Sequence, residues 1–156
     1  MKLNRTIDYL EIGVREGDSL KVMADLPCVR IAVGIDTWGL DSGGTGRGSP
    51  WHIPPFIGAS MEKVILLSAS SHHILKGFVH GFDLIYVDGK HDEPDAKEDL
   101  EDCIKLLKPN GIMIADDADH PKHPYLRGVF VEFAQTHNLD LTFHYCGYGV
   151  AEMRFK

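Results

Sequence analysis

Glu11-Ile-Gly13-Val-Arg-Glu-Gly17 sets a carboxylate just before the first of two glycines four positions apart. Glycine at a strand-to-helix turn lets a ligand approach the backbone closely. A nucleotide diphosphate would prefer such a turn without a nearby anion, so Glu11 points to a ligand that brings a cation, such as an amino group. Asp36 ends a second apolar run, "RIAVGID", where a carboxylate can accept hydrogen bonds from two vicinal ribose hydroxyls. Further acids and imidazoles fall in "VDGKHDEP" and "ADDADHPKHP". In the second, His120 and His123 with Asp116, Asp117 and Asp119 have the donor types of a Zn²⁺ or Fe²⁺ site. The competing reading is a solvated loop stiffened by Pro121 and Pro124. His72, His73 and His80 show no partner pattern and read as surface or helix-end residues.

These groups need a frame. Short apolar runs alternate with amphipathic stretches, the pattern of parallel βαβ units. Strands are expected over residues 6–13, 30–36, 63–69, 82–89 and 111–117. Helices are expected over 18–26, through "SHHILKGF", over 94–107 and over 125–137. In the third, Pro94 suits a helix start, and Ala96, Leu100, Cys103, Ile104 and Leu107 share one face. "LDLTFHYC" and "GVAEMRFK", joined by Gly147-Tyr148-Gly149, read as a hairpin. The expected fold is α/β: an open, mostly parallel seven-stranded sheet with one antiparallel strand from the C-terminal hairpin. Ligands of such sheets sit outside the carboxyl ends of the strands, where the acids above lie.

Residues 38–60 break the rhythm, with six glycines and three prolines where a crossover helix is expected. A long structureless stretch is usually a functional lid or an insertion. Trp38 and Trp51 favour a lid, because a purely solvated loop has little use for tryptophan. "GGTGRG" within it neither directly follows a strand nor opens a clear helix, which argues against a phosphate loop.

The chain of 156 residues fits one domain, residues 1–156, with the composition of an ordinary globular protein. A net charge of −7 without a basic cluster argues against a nucleic-acid partner. No apolar run reaches membrane-spanning length and no signal peptide is visible, so a cytoplasmic setting is expected. Cys28, Cys103 and Cys146 are odd in number and widely spaced, and read as reduced thiols.

A ligand with both a ribose and an amino-acid tail is S-adenosylmethionine. Here the sequence resembles the class I S-adenosylmethionine-dependent methyltransferases. "LEIGVREG" matches their E/D-x-G-x-x-x-G motif, and "GIDTW" their ribose-binding acid after strand two. "FDLIYVDGKHDEPDAKEDLEDCIKLLKPNGIMIADD" resembles the strand four–helix–strand five block of small-molecule O-methyltransferases. The resemblance implies a cofactor site drawn from Glu11, Gly13, Gly17, Ser19, Asp36, Trp38, Ser68, Ala69, Ser70 and Asp88. Ala69 stands where that family often has an acid for the adenine amine.

The resemblance also implies a divalent-metal site on Asp88, Asp116 and Asp117, holding Mg²⁺ or, with Asp in place of the usual Asn, Mn²⁺ or Ca²⁺. It places a general-base lysine where this chain has His91, whose imidazole titrates near neutrality and could take the hydroxyl proton, with Asp88 as a second catalytic group. The implied activity is methyl transfer to a hydroxyl of a small molecule or sugar. A non-catalytic S-adenosylmethionine- or nucleoside-binding module stays open. A nicotinamide-dependent oxidoreductase is disfavoured because no G-x-G-x-x-G follows strand one. The substrate's cover is expected from residues 38–60, from a second subunit as in a homodimer, or from a large substrate itself.

Overall fold

The computed structural model describes residues 6–39 and 50–156. Its elements run β1 (Ile7–Ile12), α1 (Asp18–Asp25), β2 (Val29–Asp36), α2 (Ile53–Ile57), β3 (Val64–Ser68), α3 (Ser71–Ile74) and β4 (Phe82–Val87). Then come α4 (Glu93–Ile104), β5 (Leu107–Ala115), α5 (Leu126–Thr136), β6 (Leu139–His144) and β7 (Val150–Phe155). One seven-stranded sheet has the order β3-β2-β1-β4-β5-β7-β6. β1 to β5 pair in parallel, whereas β7 enters antiparallel to both β5 and β6. The expected architecture, including the reversed strand, is therefore present.

Period-two alternation divides the core between the two sheet faces. Leu10, Ile12, Ile35, Ile85 and Met113 pack with Leu100, Cys103, Leu126 and Phe130 beneath α4 and α5. Tyr9, Ala32 and Tyr86 point the other way, to Leu20 and Ala24 of α1 and Ile53 and Ile57 of α2. Glu11 follows the parity of Tyr9, which turns its carboxylate toward the α1 face.

Two boundaries differ from expectation. Helix α4 ends at Ile104, because Leu107 pairs with Phe82 as the first residue of β5. The "KPNG" stretch is then taken up inside β5, at the register shift between Phe82 and Leu84. The crossover from β2 to β3 is not structureless over its second half. Pro54 at the helix start helps form α2, and a 3-10 turn, Gly58–Lys63, leads into β3. Ile53 and Ile57 are buried while Trp51 is exposed. Residues 40–49, where the glycine-rich part of the expected lid falls, lie outside the described residues. Among the described residues no helix is long and apolar enough to cross a membrane. The thiols are free, with Cys103 buried and Cys146 exposed.

Candidate functional site

The carboxyl ends of β1, β2 and β4 line a cleft of about 550 Å³, together with the turn after β3 and the loops after β4 and β5. Its floor depends on close backbone contact. Asp88 N donates to Ile12 O at 2.8 Å, and Gly13 N to Ile35 O at 2.9 Å. Gly13 has φ +87°, and any Cβ there would run into the Asp88 carbonyl. Glycine is therefore required by both conformation and space.

Asp36 organises the wall beside that floor. One carboxylate oxygen accepts from Arg15 N and the other from Trp38 N, each at 2.7 Å. Trp38 Nε1 returns a hydrogen bond to Arg15 O at 2.9 Å. Arg15 and Trp38 hold φ of 51° and 45°, conformations that cost non-glycine residues energy unless neighbours enforce them. The Asp36 carboxylate is the enforcing group. Arg15 was not singled out by the sequence, since it occupies a variable position of the glycine motif.

Glu11 stands one layer below the cleft surface. It is fully buried, and its two oxygens accept from Tyr9 Oη and Ser19 Oγ, both at 2.6 Å. Burial is the main cause that pushes its carboxyl up to about 7, with the two hydroxyls opposing it. Glu11 is not among the residues that line the cleft, and its carboxylate oxygens are engaged by those two hydroxyls. Gly17 and Ser19 do not line the cleft either. Gly17 turns the chain into α1 at φ +88°, with Ile53 packed close against it. Of the residues after β3, Ala69 and Ser70 line the cleft, and Ser68 does not.

At the other end, Asp88, His91 and Asp117 converge. His91 Nε2 lies 3.3 Å from Asp117 Oδ2 and 3.7 Å from Asp88 Oδ1. Burial, then the nearby charges of Asp116 and Asp117, pushes the Asp88 carboxyl up to about 8. Burial is also the chief cause that lowers His91, against an opposing pull from Asp117.

Of the three carboxylates expected for a metal, Asp88 and Asp117 meet at His91, and Asp116 lies beside them with its oxygens engaged by other groups. Asp116 keeps the parity of Ile114 on the α1 face, where Oδ2 accepts from Tyr86 Oη at 2.6 Å. Its Oδ1 accepts from Asp117 N at 2.8 Å. Asp117, at φ 61°, turns the chain back so that its own carboxylate meets His91. Among the described residues, Asp88, His91 and Asp117 form the group whose ligand atoms all lie within 4.8 Å of one another.

Loop 118–125 closes this end. His91, His123 and His120 follow one another with ring centroids 5.1 and 5.2 Å apart, and His120 meets Tyr148 edge-on at 4.3 Å. Asp119 pairs with Arg127 at 2.6 Å rather than joining a metal set with the histidines. Tyr125 Oη donates to His91 O at 3.0 Å. His72, read from sequence as a surface residue, also lines the cleft. It lies 3.2 Å from Asp99 Oδ1 and 3.2 Å from Glu98 Oε2. Its partners come from α4, out of reach of any local sequence pattern.

A family model described as "Methyltransferase domain" matches residues 10–118, which span the cleft's glycine floor, Asp36, Asp88, His91 and Asp117. The chain is a class I S-adenosylmethionine-dependent methyltransferase. Solved structures repeat its fold. The TDP-rhamnose 3′-O-methyltransferase CalS11 of calicheamicin biosynthesis is 20% identical, with a TM-score of 0.72 over 97% of this chain and 73% of its own. The methyltransferase PaMTH1 of Podospora anserina, solved with S-adenosylhomocysteine, is 20% identical, with a TM-score of 0.65 over 96% and 71%. A Staphylococcus aureus protein proposed to be a caffeoyl-CoA O-methyltransferase is 14% identical, with a TM-score of 0.70 over 95% and 76%. A search of curated protein sequences gives no match. The cleft lies beyond the carboxyl ends of the parallel strands, where open α/β sheets generally bind their ligands.

Proposed function

We propose that the methyltransferase moves the methyl group of S-adenosylmethionine to a hydroxyl of a small molecule or sugar. The observation that carries this reading is the meeting of His91, Asp88 and Asp117 at the end of the cleft beyond the glycine turn. The sulfonium is already an electrophile, so the protein needs in-line positioning and a place for the hydroxyl proton. Burial lowers His91 from its ordinary value, which favours the neutral imidazole that a proton acceptor needs. Asp117, 3.3 Å away, then stabilises the imidazolium.

The cofactor's ribose is assigned to Asp36, its flanks to Gly13, Trp38, Ala69, Ser70 and Asp88. Glu11 acts from beneath, holding Ser19 and the start of α1 in register. CalS11, a sugar O-methyltransferase by name, and the caffeoyl-CoA-type neighbour share the fold and lend support to a hydroxyl acceptor.

A second reading adds a divalent cation. Two carboxylate oxygens and an imidazole nitrogen within 4.8 Å suit such an ion, with Mn²⁺ fitting the mixed donors better than Mg²⁺. Asp88, held up near 8 by burial and then by its neighbours' charges, is the kind of carboxyl that a cation would ionise. When bound, the ion would supply Lewis-acid polarisation of the acceptor hydroxyl. His91 would then serve as a ligand, its lone pair no longer free for a proton.

Turnover of a panel of sugar and phenolic hydroxyl acceptors, with and without EDTA, tests both readings. EDTA-resistant turnover lost in His91→Ala supports the base. EDTA-sensitive turnover restored by Mn²⁺ supports the ion. Cofactor binding without turnover on any acceptor would favour a binding module.

A further inference from the structure

Loop 118–125 carries two imidazoles, His120 and His123, whose hydrogen-bond roles are set by groups of the protein itself. Ala118 N and Asp119 N donate to Gly149 O and Tyr148 O at 2.9 and 2.7 Å, which ties the loop to the turn between β6 and β7. His123 N closes a turn onto His120 O at 3.0 Å, and Pro121 and Pro124 restrict φ beside it. The peptide groups that face the two rings are therefore held in place.

A neutral imidazole has one N–H and one lone pair, and a partner able to play only one role decides which nitrogen has which. His120 Nδ1 meets Lys122 N at 3.1 Å. A peptide N–H can only donate, so the His120 proton sits on Nε2. His123 is reversed. Its Nδ1 lies 3.0 Å from Tyr125 Oη, and that hydroxyl donates its single proton to His91 O, also at 3.0 Å. Toward His123 the hydroxyl oxygen is thus the acceptor, which puts the His123 proton on Nδ1 and leaves the lone pair on Nε2. Both rings line the cleft, in the order His91, His123, His120. Neither Nε2 has a hydrogen-bond partner among the described residues.

We propose that His123 and His120 read the methyl acceptor as a pair with opposite roles, and that Tyr125 is the positioning residue that fixes the His123 tautomer. His123 Nε2 accepts a hydrogen bond from one hydroxyl of the acceptor, and His120 Nε2–H donates to its neighbour. This rests on the reading of the His91 end of the cleft as the place of hydroxyl methylation. It narrows the acceptor to one with further free hydroxyls beside the one methylated, because a hydroxyl both donates and accepts. A carboxylate at the same place brings only lone pairs and opposes the one on His123. An apolar ring with a single hydroxyl leaves both nitrogens unpaired.

Long-range nitrogen–proton NMR of the full chain at about pH 8.5, where an ordinary imidazole is neutral, reads the tautomers directly. His120→Ala and His123→Ala identify the two rings' signals. The wild type is expected to carry the proton on Nε2 of His120 and on Nδ1 of His123. In Tyr125→Phe, His123 should lose its fixed tautomer while His120 keeps its own. With a sugar acceptor from the panel above, Tyr125→Phe should raise KM about 3–10-fold and leave kcat within about threefold. The opposite proton position on either ring of the wild type would overturn the proposal. An unchanged His123 tautomer in Tyr125→Phe, with kcat rather than KM affected, would also overturn it and leave Tyr125 a clamp on the His91 backbone. The expected tautomers in a protein that binds S-adenosylhomocysteine but methylates no hydroxyl would instead remove the methyl-transfer reading on which the pair's role rests.

Discussion

Glu11 and Asp88 are carboxyls that burial shifts toward neutrality, and the shift links the site to stability. An unfolded Glu11 loses its proton near 4.5, and the folded one near 7. Between those values the folded protein holds the extra proton, so stability falls as pH rises through the window and stays lower above it. Glu11→Gln keeps partners for Tyr9 and Ser19 while removing the charge. It should raise stability over wild type by about 1–3 kcal/mol at pH 8 and by much less at pH 5. Urea unfolding at the two pH values checks this, and an equal effect at both would refute it. His91→Ala should lower kcat by about 10²–10⁴-fold, the range of a positioned base. Because burial lowers the wild-type His91 below its ordinary value, the acidic limb of the rate profile should lie below pH 6.5. A limb at or above that value would assign it to another group.

At the scale of elements, the crossover from β2 to β3 makes the clearest test. Ile53 of α2 is fully buried against Gly17, the residue that opens α1. Ile53→Ala should therefore destabilise by about 2–5 kcal/mol, as core truncations do. A surface insertion would give under about 0.5 kcal/mol, and denaturant melts separate the two. This element was hidden because its glycines and prolines mask a five-residue helix. The strands were legible because each is a short apolar run ending at a turn residue or an acid, and the reversed strand because of the Gly147–Gly149 turn. The glycine motif and Asp36 were legible for the same local reason. What could not be read were groupings set by parity and by distant elements. Asp116 and Asp117 are neighbours in sequence, but strand alternation and the left-handed turn at Asp117 send them to different partners, Tyr86 and His91. His72 gained its role from Asp99, 27 positions away and on another helix.

Across the whole molecule, charge is organised at both ends of the sheet. At the amino end of the strands, the buried Asp8 gathers Arg30, Lys108 and His80 within 2.6–3.1 Å. At the carboxyl end, six aspartates line the cleft beside Arg15, Lys90 and Lys122, an excess of acids that suits a cofactor arriving with a sulfonium and an ammonium group. The most direct test is calorimetric titration of the full chain with S-adenosylhomocysteine, in wild type and in Asp36→Ala. Saturable one-to-one binding is expected. The variant should weaken it by about 1.5–3 kcal/mol, roughly 10–100-fold, through loss of the ribose contact and release of Arg15 and Trp38. No binding in the wild type, or equal affinity in Asp36→Ala, would contradict the assignment of this cleft as the S-adenosylmethionine site.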